Sequence, residues 1–365
     1  MRRAFLPIVL FLTCPALLSA QTDTLRLLFA GDIMGHTPQI RSAELVPDKA
    51  YDYRPCFRYV RPIVESADIA IGNLELTLPG KPPYTGYPMF RSPDALAEAL
   101  KDAGFDVLVT ANNHSNDARG AGVATTIETL RRLNFMHTGT FKDANERATL
   151  YPLMLYKNGF KIALLNYTYG TNGIPTEAPT IVNLLDTVQI RKDLDEARAR
   201  KPHFIIVVAH WGLEYQLTEN PEQRAMAQFM IRHGADMIIG AHPHVVQPVK
   251  WETVDLPDGS SKEALIVYSL GNFISNQQKP HTDGGVLFAV ELLHRKGIPR
   301  AECGRYGIIP VYRYIHKSAE GKTTYYVVPD PLPADNAAGV PPPAAAAARQ
   351  FADALRSRLK GCPEW

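Results

Sequence analysis

At 365 residues the chain is long enough for one large domain or two modest ones. Its apolar share of 45% and charged share of 21% favour a sizeable core and argue against disorder. With 39 basic and 37 acidic residues the net charge is +2, and no basic run stands out, so a nucleic-acid partner finds no electrostatic footprint.

In chain order, the first feature is a targeting pattern. Arg2 and Arg3 precede an apolar stretch over residues 5–18, and Ala20 offers a small residue for cleavage before Gln21. Residues 1–20 therefore read as a signal peptide of an exported protein, periplasmic or extracellular, with an uncleaved membrane-surface anchor as the other option. Cys14 also raises a lipid-attachment alternative, which Phe11 and Thr13 fit poorly. After cleavage Cys56, Cys303 and Cys362 remain, an odd number in an oxidising space. Cys303 and Cys362 lie in the same C-terminal region and could pair.

Short apolar runs then alternate with helical stretches. Residues 25–30, 69–71, 107–110, 204–209, 237–239 and 265–269 read as strands. Residues 93–103 read as a helix opened by Ser92 as cap and Pro93 in the first turn; residues 187–200 and 221–233 read as two more, the latter closing at Gly234. Near-continuous apolar strands separated by helices imply a buried, largely parallel sheet with helices on its faces. Asn158-Gly159 between two apolar segments predicts a hairpin, so the sheet is mixed or two sheets pack together. Beyond residue 300 the pattern changes to alternating segments, a Pro/Ala-rich connector and a helix over 344–359. Residues 21–299 thus form the main domain and 300–365 a small appendage to it.

The polar residues just past each run carry the chemistry. Asp32 follows the first run, Asn73 and Glu75 the second, and Asn112, Asn113, His114 and Asp117 the third. His210 follows the fourth, and His242 and His244 the fifth. In an α/β sheet the carboxyl ends of parallel strands share one edge, where ligand sites form, so these residues are expected to converge. A mixture of carboxylate, amide and imidazole donors without thiolate suits Mn²⁺, Zn²⁺ or Fe²⁺. So many donors exceed the need of one tetrahedral ion and fit one or two ions, a pair bridged by a carboxylate being the arrangement used for hydrolysing phosphate esters. Each residue alone has a plainer reading, a turn or a hydrogen-bonded loop; the joint pattern favours the metal site. His36, His137, His203, His233 and His281 stand elsewhere and read as non-ligands, His36 being closest to the motif.

The segments "GDIM", "GNLE", "FRSPDALAEALKDAGFDVLVTANNHSND", "VVAHWGLEY", "GAHPHVVQP" and "YSLGNFISNQ" resemble the CapA family of poly-γ-glutamate capsule biosynthesis proteins over about residues 25–292, a family similar to the calcineurin-like metallophosphoesterases. The resemblance implies an α/β fold, a four-layer α/β/β/α sandwich. It implies Asp32, Glu75, Asn113, His210, His242 and His244 as metal ligands, with Glu75 in the bridging place and His114 protonating the leaving group. Asn272 would stabilise developing charge, and Arg91 would bind an anionic substrate or serve as a surface or structural arginine. The superfamily's opening Asp-x-His is here Asp32-Ile33-Met34, and a thioether is a poor ligand for such cations, so one metal position loses a ligand or is completed by His36 or water. Glu75 in place of aspartate shifts the geometry further. The expected function is metal-dependent hydrolysis of a phosphoester or an amide, linked to capsule or poly-γ-glutamate metabolism. The alternative is a non-catalytic accessory to synthesis or export of an anionic surface polymer. The partners expected are such a polymer or a small phosphoester, together with membrane-associated capsule synthesis proteins.

Overall fold

The computed structural model describes residues 22–45, 50–333 and 339–365. The expected signal peptide lies outside the described residues.

Two sheets account for the apolar runs. In the first, Thr22–Ile33, Ile69–Leu74, Val107–Val109 and Met136–Thr138 lie side by side and parallel, while Gly284–Arg295, Glu302–Lys317 and Thr323–Pro329 continue antiparallel from the other edge of Thr22–Ile33. Asn272–Ile274 also pairs with the end of Thr22–Ile33. The second sheet has the order Val249–Asp255, Ser261–Val267, Met237–Ala241, Phe204–His210, Phe160–Thr168, Leu153–Lys157. Its outermost pair is the predicted hairpin, with Asn158 at φ 48° and Gly159 at φ 77°, the positive values that a two-residue turn of this kind requires.

Alternation along the strands builds three apolar layers. Leu25, Leu27, Phe29, Ile69 and Ile71 face Ile162, Leu164, Ile206, Val208 and Ile239 between the sheets. The intervening Leu28, Ala30 and Ala70 pack outward against the helix Ala95–Asp102 and its neighbours. On the far side, Ile205, Val207 and Ile238 meet the helices Thr187–Ala199 and Pro221–Arg232. The order is helices, sheet, sheet, helices, the expected four-layer sandwich.

Two local expectations change. Ser92 does not cap the helix, which begins at Ala95; its hydroxyl is buried against Gly35, where an added Cβ would come within 1.9 Å of it. Cys303 and Cys362 are free thiols. Glu364 bridges Ile308 in parallel, so the two cysteines are staggered by three residues, roughly 10 Å along the strand direction. The strands after residue 300 extend the first sheet, and the helix Pro342–Arg358 places Leu355 into the inter-sheet core.

Candidate metal centre

The alternation that fills the sandwich also delivers donors to its rim. Asn73 and Glu75 continue the inward phase of Ile69 and Ile71, and His210 continues that of Ile206 and Val208. Asp32 is out of phase with Leu25, Leu27 and Phe29. A bulge at Gly31 corrects this: Ala30 pairs with Gly72 but Asp32 pairs with Asn73, so one extra residue turns the carboxylate inward. Only glycine fits at that point, because an added Cβ would lie 2.0 Å from the Gly271 carbonyl oxygen. His242 and His244 leave the end of Met237–Ala241 at φ 98° and 60°, left-handed conformations that side chains rarely adopt.

Five of the six predicted ligands meet in two overlapping groups. Ligand atoms of Asp32, Glu75 and His210 lie within 4.8 Å of one another, as do those of Glu75, His242 and His244, all of them buried. Glu75 belongs to both. Asn113 joins through His210, whose Nε2 is 3.0 Å from Asn113 Oδ1. Asn73 donates to Asp32 Oδ1 at 2.8 Å. Met34 is packed into the helix-side core, and His36 begins the short helix Thr37–Ala43, its Nδ1 accepting the Asn276 N–H at 3.1 Å. None of His36, His137, His203, His233 and His281 enters either group.

These residues fit a divalent cation. Among the described residues no hydrogen-bond donor reaches either oxygen of Glu75, and His242 Nδ1 is likewise buried without a partner. Burial first, then the Asp32 charge, holds the Glu75 carboxyl well above the carboxylate range. Burial pushes Asp32 up too, but the hydrogen bond and charge of His244, then the hydrogen bond from Asn73, outweigh it and the net shift is downward. Burial, reinforced by the neighbouring imidazoles, pushes His210 well down and His242 to about 3, so both rings are neutral with a lone pair to offer. His244 Nδ1 lies 3.0 Å from Asp32 Oδ2 and 3.1 Å from Asn272 Oδ1. Both neighbours accept, so Nδ1 carries the proton and Nε2, 3.8 Å from Glu75 Oε1, is open to a cation.

Asn272 therefore has a different place from the one its sequence suggests. Its amide nitrogen donates to Gln277 Oε1 at 2.9 Å and the Thr282 carbonyl at 2.8 Å, and its oxygen meets His244. It orients a ligand instead of presenting a donor to substrate. Arg91 lies in the loop whose Phe90 ring packs edge-on to His114 at 4.6 Å; its backbone pairs with Thr85, and its Nε has no partner. His114 stands beside the donor groups, and its Nδ1 is 2.7 Å from Asp117 Oδ2, which also accepts the Phe90 N–H. Asp117, which the sequence places at the rim with no role of its own, is thus the carboxylate that orients His114, three residues before it.

Two stacked sheets flanked by helices thus gather carboxylates and imidazoles at one rim. The fold resembles NAD nucleotidase (NadN) of Haemophilus influenzae at a TM-score of 0.51 and 13% identity, covering 92% of this chain and 56% of that one. The chain belongs to the bacterial capsule synthesis protein PGA_cap family, whose model matches residues 26–277. It is 31% identical over 288 residues to the capsule biosynthesis protein CapA of Bacillus anthracis, covering 74% of this chain and 65% of that relative's length. It is 28% identical over 311 residues to the PGA biosynthesis protein CapA of Bacillus subtilis (strain 168), covering 81% and 74%.

Proposed function

We propose that this protein is an exported, metal-dependent hydrolase of capsule biosynthesis that cleaves a phosphoester. The observation that carries the reading is Glu75: a buried, donorless carboxyl shared by two groups of potential ligands. Asp32, Glu75, Asn113, His210, His242 and His244 would hold one or two ions, and their oxygen and imidazole donors suit Mn²⁺, Zn²⁺ or Fe²⁺. Such a cation supplies Lewis acidity to a phosphoryl oxygen and activates water near neutral pH. Asp117 accepts from His114 Nδ1 and fixes the tautomer and direction of the ring, and His114 transfers a proton to the departing oxygen. Arg91, in the loop whose Phe90 packs on His114, would bind an anionic group of the substrate.

The test pairs metal analysis with turnover of bis(4-nitrophenyl) phosphate in Mn²⁺. His114→Ala is expected to lower kcat by about 10²-fold or more while metal content stays at the wild-type level. Full metal loading without turnover, or turnover indifferent to His114, defeats the hydrolase reading and leaves a polymer-handling accessory in its place.

A further inference from the structure

On the second-sheet side of the centre lies a groove of about 320 Å³ whose walls include Tyr169, Leu185, Trp211, Leu213, Gln223 and Met226. Tyr169 joins it to the ligand groups: its ring centre is 4.6 Å from that of His242, and it stacks over His210 at 6.4 Å. Trp211 follows His210 directly at the end of the strand. A molecule held at the centre therefore reaches this groove within about one ring's width.

The polar atoms of the wall are already engaged. Trp211 Nε1 donates to the Tyr268 carbonyl, and the Tyr169 hydroxyl to Asn172 Oδ1. Asn220 and Gln223 exchange hydrogen bonds with each other's backbone N–H at the start of their helix, and Gln223 Nε2 donates to Gln247. Among the described residues no lysine or arginine lines the groove, and the one charged group in its wall is the carboxylate of Glu222. Yet Leu213 is 58% exposed and Tyr169 47%, apolar surface left open beside a polar centre. Such a wall repels carboxylates and phosphates and rewards a flat, uncharged group.

We propose that this groove is a subsite of the same centre and takes an uncharged ring, aryl or glycosyl, carried by the substrate; this rests on the hydrolase reading. His114 and Phe90 occupy the first-sheet side, where the leaving group departs. The ring therefore belongs to the portion of substrate that keeps the phosphorus.

The experiment titrates the Mn²⁺-loaded protein with methylphosphonate, phenylphosphonate and glucose 1-phosphate by calorimetry. Phenylphosphonate, glucose 1-phosphate or both are expected to bind at least about tenfold tighter than methylphosphonate, from burial of the ring. A gain with phenyl alone assigns an aromatic ring, and a gain with glucosyl assigns a sugar. Leu213→Asp, a surface substitution, is expected to bring the ratio toward one. Equal binding of all three compounds, or a ratio unmoved by Leu213→Asp, overturns the groove proposal and leaves the hydrolase reading intact. Failure of every compound to bind to metal-loaded protein overturns both.

Discussion

As a carboxylate, Glu75 would sit beside the negative charge of Asp32 with no donor to offset it. A neutral amide at that position removes the electrostatic burden, so Glu75→Gln is expected to melt no lower than the wild type in chelator. The same change removes the shared ligand. Saturating Mn²⁺, at about 100 times its Kd, should stabilise the wild type by about 2.7 kcal/mol and the variant hardly at all. Thermal melts with and without metal check both halves; an undiminished Mn²⁺ shift in Glu75→Gln would remove the residue from the centre. At this scale the sequence was informative where a donor follows an apolar run, as with His210 and the His242/His244 pair. It was silent where direction matters. Nothing in "FAGDIM" shows that a bulge at Gly31 turns Asp32 inward, and nothing in "LGNF" shows that Gln277 and Thr282 consume the donors of Asn272.

Among the elements, Phe160–Thr168 has a part that its apolar reading concealed. Asn166, in the middle of "ALLNYT", accepts the Ala111 N–H at 2.7 Å and donates to the Val208 carbonyl at 3.1 Å. It thereby fastens the loop bearing Asn113, from the first sheet, to the strand bearing His210, from the second. Asn166→Leu leaves the Ala111 N–H buried without its acceptor and removes the side-chain hydrogen bond to the Val208 carbonyl. The expected loss is about 2–3 kcal/mol in denaturant melts, accompanied by weaker Mn²⁺ binding. Lost stability with unchanged metal affinity would confine Asn166 to a structural role. Strand existence was readable because these runs are apolar and short, several of them ending at glycine. The distribution of strands over two sheets was not, because a run buried on both faces looks the same in either sheet. The failure at Ser92 has a similar cause: capping chemistry is local, and close packing on Gly35 overrode it.

For the whole molecule, acid exposes how much imidazole the fold keeps neutral. His137, on an edge strand remote from the candidate ligands, has its pKa pushed from 6.5 to about 4, first by burial and then by the charge of Arg131. Between those values the unfolded chain binds a proton that the native state does not, so stability falls as pH drops through this window. The contribution is at most about 3 kcal/mol. In His137→Gln the decline from pH 7 to 4.5 should be shallower than in the wild type, as measured by urea melts in chelator. Parallel curves would show that His137 titrates normally in the native state.

The turn carrying His242 and His244 holds two bulky residues in a region of backbone space where glycine rests without strain. Relaxing that turn and keeping its imidazoles are opposed demands on the same two positions. Replacements chosen only for thermal robustness would drift toward glycine or asparagine there, and a more durable protein made that way would have lost its chemistry at the first step.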